Sequence, residues 1–258
     1  MKSFKELWQY REMIVTLVKR DLKSRYKGSV LGFFWMFLNP LLQLLVYTIV
    51  FSSILRMGID KFYLFLFVAL IPWSFFSTCL SAGTTAVYGQ KDMVKKIYFP
   101  REVLPIVFTL SQFINMLLSF IVVFVVVFLC KIDMEPKALV YLPILMIIEF
   151  ILALGITFFV SAFNVYYRDT EHILSIVSMA WMYLTPVLYP VDMVPEKFLP
   201  IFRLNPMTPI IVAYRDILYH GKCPETGELL SALILGVIVF WVGKISFTVL
   251  QRRFAEEL

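Results

Sequence analysis

Two charged side chains, Glu149 and Lys244, lie inside the long apolar stretches of this chain. A carboxylate at the centre of a bilayer costs about 2.5–3.5 kcal/mol on insertion scales unless it is paired or hydrated. Two interpretations of Glu149 follow: it lines a transport pathway, or it is protonated or bonded to a hydroxyl group of a neighbouring helix. Lys244 is close enough to the end of its stretch for its amine to reach the membrane surface.

The sequence shows no pattern that would bind a nucleotide, hold a metal or catalyse a reaction. A P-loop needs two glycines separated by four residues and followed by Lys and Ser or Thr; Gly243-Lys244-Ile245 is the nearest approach and fails this pattern. The two histidines, His172 and His220, fall in segments predicted on opposite sides of the membrane. The cysteines suggest neither a disulfide framework nor a metal site; they are Cys79, Cys130 and Cys223. We expect no catalytic residue, no metal and no cofactor bound by this chain.

A basic loop at residues 90–102 has the pattern of a short helix that ends before Pro100. Met93, Val94 and Ile97 are spaced to share one face of that helix, and the lysines take the solvated faces. Such a loop is often only a signal of membrane topology. In a transporter without an ATPase site of its own, it is also a candidate surface for receiving force from a partner.

Six apolar stretches must position these residues, and they predict an all-α polytopic membrane protein with a single domain over residues 1–258. A helix needs roughly 20 apolar residues to cross the hydrocarbon. Hydrophobic residues make up 60% of the chain and the mean hydropathy is +0.81, which fits this class. The predicted spans are residues 30–55, 62–88, 103–130, 138–163, 173–189 and 229–250.

The distribution of Lys and Arg places both termini in the cytoplasm. Fifteen of the 24 Lys and Arg residues fall before the first span, in the 90–102 loop, at Arg168 or after the sixth span, and eight fall on the other side. This bias and the attraction to anionic lipid account for the net charge of +6, so no nucleic-acid partner is implied.

Residues 1–28 are predicted to form an amphipathic helix in the plane of the membrane surface. This helix either docks a cytoplasmic partner or anchors the chain to the surface. Its apolar face consists of Phe4, Leu7, Trp8, Ile14, Val15, Val18 and Leu22.

The exterior segment 185–228 holds seven of the 13 prolines and is predicted to contain short or re-entrant helices. The run from Pro209 to Tyr219 has the start and stop signals of a helix too short to span. An outer gate and a plain extracellular loop are both compatible with this pattern. The candidate gate residues are Pro186, Tyr189, Pro190, Asn205, Pro206 and Pro209.

Several motifs in order along the chain resemble those in membrane subunits of polysaccharide-exporting ABC transporters. The resemblance extends from residue 20 to the C-terminus, and its strength lies in the ordered set rather than in any one motif. The matching motifs are Arg20–Trp35, Asn39-Pro40, Lys95–Arg101, Asn164–Asp169, Thr185–Tyr189, Asn205-Pro206 and Arg253–Glu256.

The resemblance implies an exporter of O-antigen, teichoic acid or capsular polymer on a lipid anchor, in the cytoplasmic membrane of a bacterium. Two six-span subunits would form the channel, and two copies of a separate ATPase would bind ATP and Mg²⁺. Arg168 and Asp169 would form a second cytoplasmic loop. Residues Lys91–Arg101, called here the coupling segment, would transmit its force; the named positions are Lys91, Asp92, Met93, Val94, Lys95, Lys96, Ile97, Tyr98, Phe99 and Arg101.

Aromatic side chains suit a path for a hydroxyl-rich polymer, because ring faces pack on sugars while hydroxyl groups exchange hydrogen bonds. Aromatic residues also form belts at membrane surfaces, and at any single position a belt or packing role is favoured over a channel role. The candidate channel residues are Trp35, Tyr47, Trp73, Trp181 and Tyr183.

Three other functions are compatible with parts of the sequence. An ABC exporter of drugs or small lipids would have the same topology. An ion-driven carrier or flippase would need a titratable group within the spans, for which Glu149 is the candidate. A membrane enzyme acting on lipid-linked sugars would need clustered carboxylates or histidines, which the sequence does not provide.

Overall fold

The computed structural model describes residues 4–50 and 59–258, and all regular structure in these ranges is helical. This agrees with the predicted fold class. The α-helices are α1 (Phe4–Gln9), α2 (Arg11–Tyr26), α3 (Trp35–Thr48), α4 (Phe62–Ser81), α5 (Thr85–Tyr88), α6 (Lys91–Lys96), α7 (Val103–Leu129), α8 (Pro136–Tyr166), α9 (Thr170–Tyr183), α10 (Leu199–Leu204), α11 (Met207–Leu218), α12 (Thr226–Leu250) and α13 (Phe254–Glu257).

Four helical runs in the described ranges are long and apolar enough to cross a membrane. They coincide with the predicted spans at 62–88, 103–130, 138–163 and 229–250. In the first of these, a 3₁₀ turn at Ala82–Thr84 joins α4 to α5. The runs are Phe62–Lys96, Val103–Leu129, Pro136–Tyr166 and Thr226–Arg253.

The other two predicted spans differ from the observed helices. The first, 30–55, opens with a 3₁₀ turn at Gly32–Phe34, and its residues 51–55 lie outside the described ranges. The fifth, 173–189, is represented by α9, whose 14 residues are about 21 Å long and shorter than the hydrocarbon of about 30 Å. It ends at Tyr183 because Pro186 cannot continue a helix and disfavours helical backbone at the residue before it.

The helices connect two ends of a bundle, which we call the basic end and the opposite end. The basic end comprises α2, residues 88–102, residues 167–169 and the C-terminal residues 251–258. The opposite end comprises residues 59–61, 131–135 and 219–225. There Lys61 Nζ donates to the Cys130 carbonyl at 3.0 Å, and the Glu135 amide donates to the Gly221 carbonyl at 2.9 Å.

Within the predicted surface helix 1–28 the structure has α1 and α2, and residues 1–3 lie outside the described ranges. Helix α2 packs against α7, with Leu17 and Val18 buried. Leu7, Ile14 and Leu22 are partly buried against the same cluster, whereas Trp8 is 61% exposed and Val15 is 50% exposed. One part of the predicted apolar face therefore binds the bundle and another part remains available for lipid or a partner.

Helix α4 is the centre of the bundle and α12 is at its edge. Of the 18 residues in the most apolar stretch of each helix, 78% are buried in α4 and 17% are buried in α12. Helix α12 is nevertheless packed closely on α8 through two glycines. A Cβ atom on Gly243 would lie 2.0 Å from the Gly155 carbonyl oxygen, and one on Gly155 would lie 2.5 Å from the Phe240 Cα. The two backbones can approach this closely because neither position carries a side chain.

Replacing Gly243 with Ala is expected to separate α8 from α12, because the new methyl group meets backbone that cannot rotate away. We expect a loss of about 1–3 kcal/mol in stability, seen as earlier loss of monodisperse protein on heating in detergent. Gly236→Ala in the same helix is the matched control, since its Cβ would lie 3.6 Å from the nearest atom, the Ile148 carbonyl oxygen. That control should be neutral or slightly stabilising. Equal behaviour of the two variants would show that the glycine contact does not hold the helices together.

Candidate functional site

The coupling segment contains a short helix, α6, whose buried side is fixed to the bundle. Val94 and Phe99 are each 6% exposed, and they belong to a cluster with Val103, Phe158 and Phe254. The three lysines of the segment, at 91, 95 and 96, point to solvent, as their spacing indicates.

The prediction that three apolar residues of the segment share one helical face is wrong for one of them. Ile97 does not share the helical face of Met93 and Val94, because the helix ends at Lys96 and Ile97 is extended, with φ −127° and ψ 137°. Ile97 is 57% exposed and Tyr98 is 83% exposed, so both apolar side chains face outward beyond the helix end. The exposed surface of the coupling segment therefore combines these two residues with the lysines.

The end of the coupling segment is bonded to the C-terminal part of α12. Arg101 donates to the Gln251 carbonyl, and its guanidinium lies 5.9 Å from the centre of the Phe254 ring. Glu102, which is 6% exposed, forms an ion pair with Lys244. The Lys244 amine therefore reaches toward the basic end, where it meets a buried carboxylate that the sequence analysis did not pair with it.

The loop between α8 and α9 approaches the same region. The Arg168 guanidinium lies 5.0 Å from the centre of the Tyr88 ring, and the Lys91 amine lies 5.4 Å from that ring. Asp169 and Arg168 are exposed. The predicted second loop and the coupling segment thus form one surface at the basic end.

Glu149 is fully buried in α8 and faces α11. The Tyr214 hydroxyl donates to Glu149 Oε2 at 2.7 Å, and Oε1 has no hydrogen-bond partner among the described residues. Tyr214 is also fully buried and stacks on Phe120 with ring centres 5.4 Å apart. The carboxyl group is thus held by a neighbouring hydroxyl group, as one of its two interpretations requires.

The proline-rich segment between α9 and α11 is held by a buried arginine that the sequence analysis did not single out. Arg215 is 4% exposed, and its guanidinium lies 3.5 Å from the centre of the Phe65 ring. Its donors reach the carbonyls of Phe65 at 3.3 Å, Pro186 at 2.5 Å, Val187 at 2.6 Å and Tyr189 at 3.2 Å. No carboxylate among the described residues pairs with it. A lone Arg in the apolar run Met207–Leu218 was the signal for this role.

Asn205 also holds the proline-rich segment in place through hydrogen bonds. Its amide nitrogen donates to the Leu184 carbonyl at 3.0 Å and to Thr185 Oγ1 at 2.8 Å. Its oxygen accepts from Trp181 Nε1 and from the Met207 amide, both at 3.0 Å. The Asn-Pro motif thus connects the end of α9 to the start of α11.

The other candidate gate residues lie close to Arg215 and Asn205. Tyr189 donates from its hydroxyl to the Tyr183 carbonyl at 2.5 Å, and Pro190 is partly buried beside it. Pro206 precedes α11, and Pro209 is in its first turn, where a missing amide donor costs little. Helix α11 packs on α4, α8 and α12 rather than forming an exposed loop. At its end, burial and the nearby Asp60 raise the pKa of Tyr219, whose hydroxyl donates to the Asp60 carbonyl at 2.6 Å.

The five candidate channel aromatics have different surroundings. Trp73 is 4% exposed and packs on Phe76, so at this position the structure favours packing. Trp181 is bonded to Asn205, Tyr47 is partly buried, and Tyr183 is 61% exposed. Trp35 is 39% exposed and lines a cavity of about 240 Å³ between α3, α4 and α7.

A sequence profile described as ABC-2 type transporter matches residues 12–219, which include the surface helix, the coupling segment and the proline-rich segment. The chain belongs to the ABC-2 type transporter family.

Individual relatives match over almost the whole chain. An O-antigen export system permease protein RfbA from Myxococcus xanthus is 34% identical over 260 residues, covering 100% of both chains. A protein of the same description from Klebsiella pneumoniae is 34% identical over 96% of this chain and 95% of its own. The polysialic acid transport protein KpsM from Escherichia coli is 19% identical over 89% of this chain and 90% of its own.

Removing the Arg215 guanidinium is expected to release the proline-rich segment in this ABC-2 family member. Arg215→Met leaves the carbonyls of Pro186, Val187 and Tyr189 without this donor, and each buried unsatisfied group costs about 1–3 kcal/mol, so stability should fall by about 3 kcal/mol or more. Arg215→Lys should rescue only part of it, because one ammonium group cannot span four acceptors.

The measurement combines thermal stability in detergent with limited proteolysis between residues 186 and 206. The control is Arg203→Met in α10, whose side chain is exposed. If Arg215→Met is as stable and as protease-resistant as that control, Arg215 does not hold the segment.

Proposed function

We propose that this chain is the channel-forming subunit of an ATP-driven exporter that moves a polysaccharide, carried on a lipid, across the cytoplasmic membrane of a bacterium. Two copies of the chain would assemble with two copies of a separate ATPase that binds ATP and Mg²⁺. In this proposal six helices of each copy span the membrane, with α3 and α9 as the first and fifth, and both termini lie in the cytoplasm.

The observation that carries the proposal is similarity over the full length to export permeases. The match to the Myxococcus xanthus protein covers 100% of both chains at 34% identity, which includes every segment described above. The Neisseria meningitidis capsule polysaccharide export inner-membrane protein CtrC is more distant, at 23% identity over 76% of this chain. O-antigen and capsule are both polysaccharides, which supports that class of substrate over drugs or small lipids.

The contacts of the coupling segment support a route for force. Exposed Ile97 and Tyr98 offer apolar area to a partner, and the neighbouring lysines would select an acidic rim on it. Val94 and Phe99 connect this surface to the core, and the Glu102–Lys244 ion pair connects it to α12. Movement of the ATPase pair on ATP binding would therefore displace the ends of α7 and α12 together.

Charge reversal in the coupling segment tests this route. Lys95→Glu with Lys96→Glu should uncouple ATP hydrolysis from export, lowering export about tenfold or more while the chain still inserts in the membrane. The measurement compares polymer at the cell surface with ATP hydrolysis by the purified complex. Lys197→Glu, an exposed lysine outside the basic end, is the control and should leave both unchanged. Unchanged export by the double variant with the ATPase still bound would remove the coupling role from this segment.

An ion-driven carrier remains the second candidate, because Glu149 is a buried carboxyl group within a span. Glu149→Gln separates the two functions. The glutamine side-chain oxygen can still accept from Tyr214, so folding and ATP-driven export should change less than twofold. A carrier that depends on protonation of this group should lose transport. Export is measured in cells with and without the catalytic Lys of the partner ATPase, and Tyr214→Phe serves as the control for loss of the hydrogen bond alone.

A further inference from the structure

The cavity lined by Trp35 is polar although it lies between three apolar helices. Its polar lining consists of two residues from α3, two from α4 and three from α7: Asn39 and Gln43, Ser74 and Thr78, and Gln112, Asn115 and Ser119. In each helix these residues are separated by three, four or seven positions, so they share one face. Polar groups at this depth are costly unless water or a ligand satisfies them.

The hydrogen bonds of the lining determine what it can offer a ligand. Thr78 donates its hydroxyl to the Ser74 carbonyl at 2.7 Å, and Ser119 donates to the Asn115 carbonyl at 3.0 Å. Both hydroxyl protons are therefore in use, and the lone pairs of both oxygens remain as acceptors.

Gln112 contributes the opposite chemistry. Arg25 NH1 donates to Gln112 Oε1 at 3.2 Å, and Arg25 is also paired with Asp21 at 3.1 Å. Arginine has only donors, so this contact fixes which end of the Gln112 amide is oxygen. The amide nitrogen is then the donor that Gln112 brings to the cavity.

A second cavity lies at the basic end, between α2 and α7. Its volume is about 350 Å³, and its lining includes Asp21 on α2 and Leu104, Val107 and Phe108 on α7. On α7, Leu104 and Phe108 precede Gln112 at steps of four residues. Arg25 links the two linings, because it pairs with Asp21 of the second cavity and donates to Gln112 of the first.

We propose that the cavity between α3, α4 and α7 binds one glycosyl unit of the transported chain, with Gln112 donating to its hydroxyl groups and Thr78 and Ser119 accepting from them. A hydroxyl group both donates and accepts, which matches a lining that presents both. The exposed ring of Trp35 supplies an apolar face for the sugar ring. The volume of about 240 Å³ is below the usual 300–1,000 Å³ of drug-sized sites, so the site holds one unit of a chain. This inference rests on the proposed function and specifies where within one subunit the sugar is held.

Photolabelling of the full chain in phosphatidylcholine nanodiscs tests the site. The probe is an octyl glucoside that carries a diazirine on its sugar-proximal carbon, and the reference probe has the same tail and diazirine with a short ethylene glycol head. We expect the glucoside to label peptides containing residues 35–43, 71–78 and 112–119, and excess unlabelled octyl glucoside to compete. Equal labelling of these peptides by the sugarless probe would overturn the proposal, because it would identify a groove for lipid tails.

Isosteric variants make the test specific. Gln112→Glu keeps an oxygen for Arg25 but removes the amide donors, and Thr78→Val and Ser119→Ala remove single acceptors. Each should lower labelling by the glucoside about fivefold, the factor expected for one neutral hydrogen bond. Thr109→Val, on α7 but outside the cavity, is the control and should label like the native chain. Labelling unchanged in all three cavity variants would overturn the proposal.

This experiment needs neither ATP nor the partner ATPase, so its failure is separable from failure of the proposed function. If the native chain exports in an ATP-dependent way but the glucoside labels it no more specifically than the sugarless probe does, only the cavity assignment is overturned. Specific labelling in a chain whose export does not depend on the ATPase would support the cavity and overturn the proposed export mechanism.

Discussion

Prolines free backbone carbonyls from helical hydrogen bonds, and in the segment after α9 the donor that satisfies several of these carbonyls is the Arg215 guanidinium. In lipid or in a dry core, each unsatisfied carbonyl costs free energy comparable to a lost hydrogen bond. One planar cation with five N–H groups can donate to several carbonyls around its edge while its face rests on Phe65. The turn after α9 can therefore enter the bundle, and α11 can pack among α4, α8 and α12. The same guanidinium also binds α4, because the Phe65 carbonyl is one of its acceptors.

Hydrophobic periodicity predicted the parts of the fold that depend only on local sequence. The four long spans and the solvent-facing lysines of α6 follow from unbroken apolar runs and from helical spacing. The end of α9 at Tyr183 was missed because apolar character continues through Tyr189, whereas the backbone responds to Pro186. The orientation of Ile97 was missed for a related reason: its spacing from Met93 fits a helix, but the chain becomes extended before Pro100.

Contacts between residues that are far apart along the chain could not be predicted from one sequence. Glu102 and Lys244 are separated by most of the chain, and nothing local to either residue indicates the other. Arg215 was not singled out because its partners are backbone carbonyls, which carry no sequence signature, and Asn205 was named as a gate residue without any indication of its bond to Trp181. Gln112 and Ser119 did leave a signal, a polar stripe at helical spacing in an apolar span. This stripe indicates a ligand site only once the fold shows that α3 and α4 place their own polar residues around the same cavity.

The glycine contact between α8 and α12 has a mechanical consequence. Lys244 follows Gly243 directly, so the ion pair from the coupling segment joins α12 one residue from the point where α12 touches α8. A displacement at Glu102 would not travel along a length of flexible helix before reaching α8. The two helices would move together as one rigid unit. Bending would be confined to the parts of α12 nearer its start at Thr226.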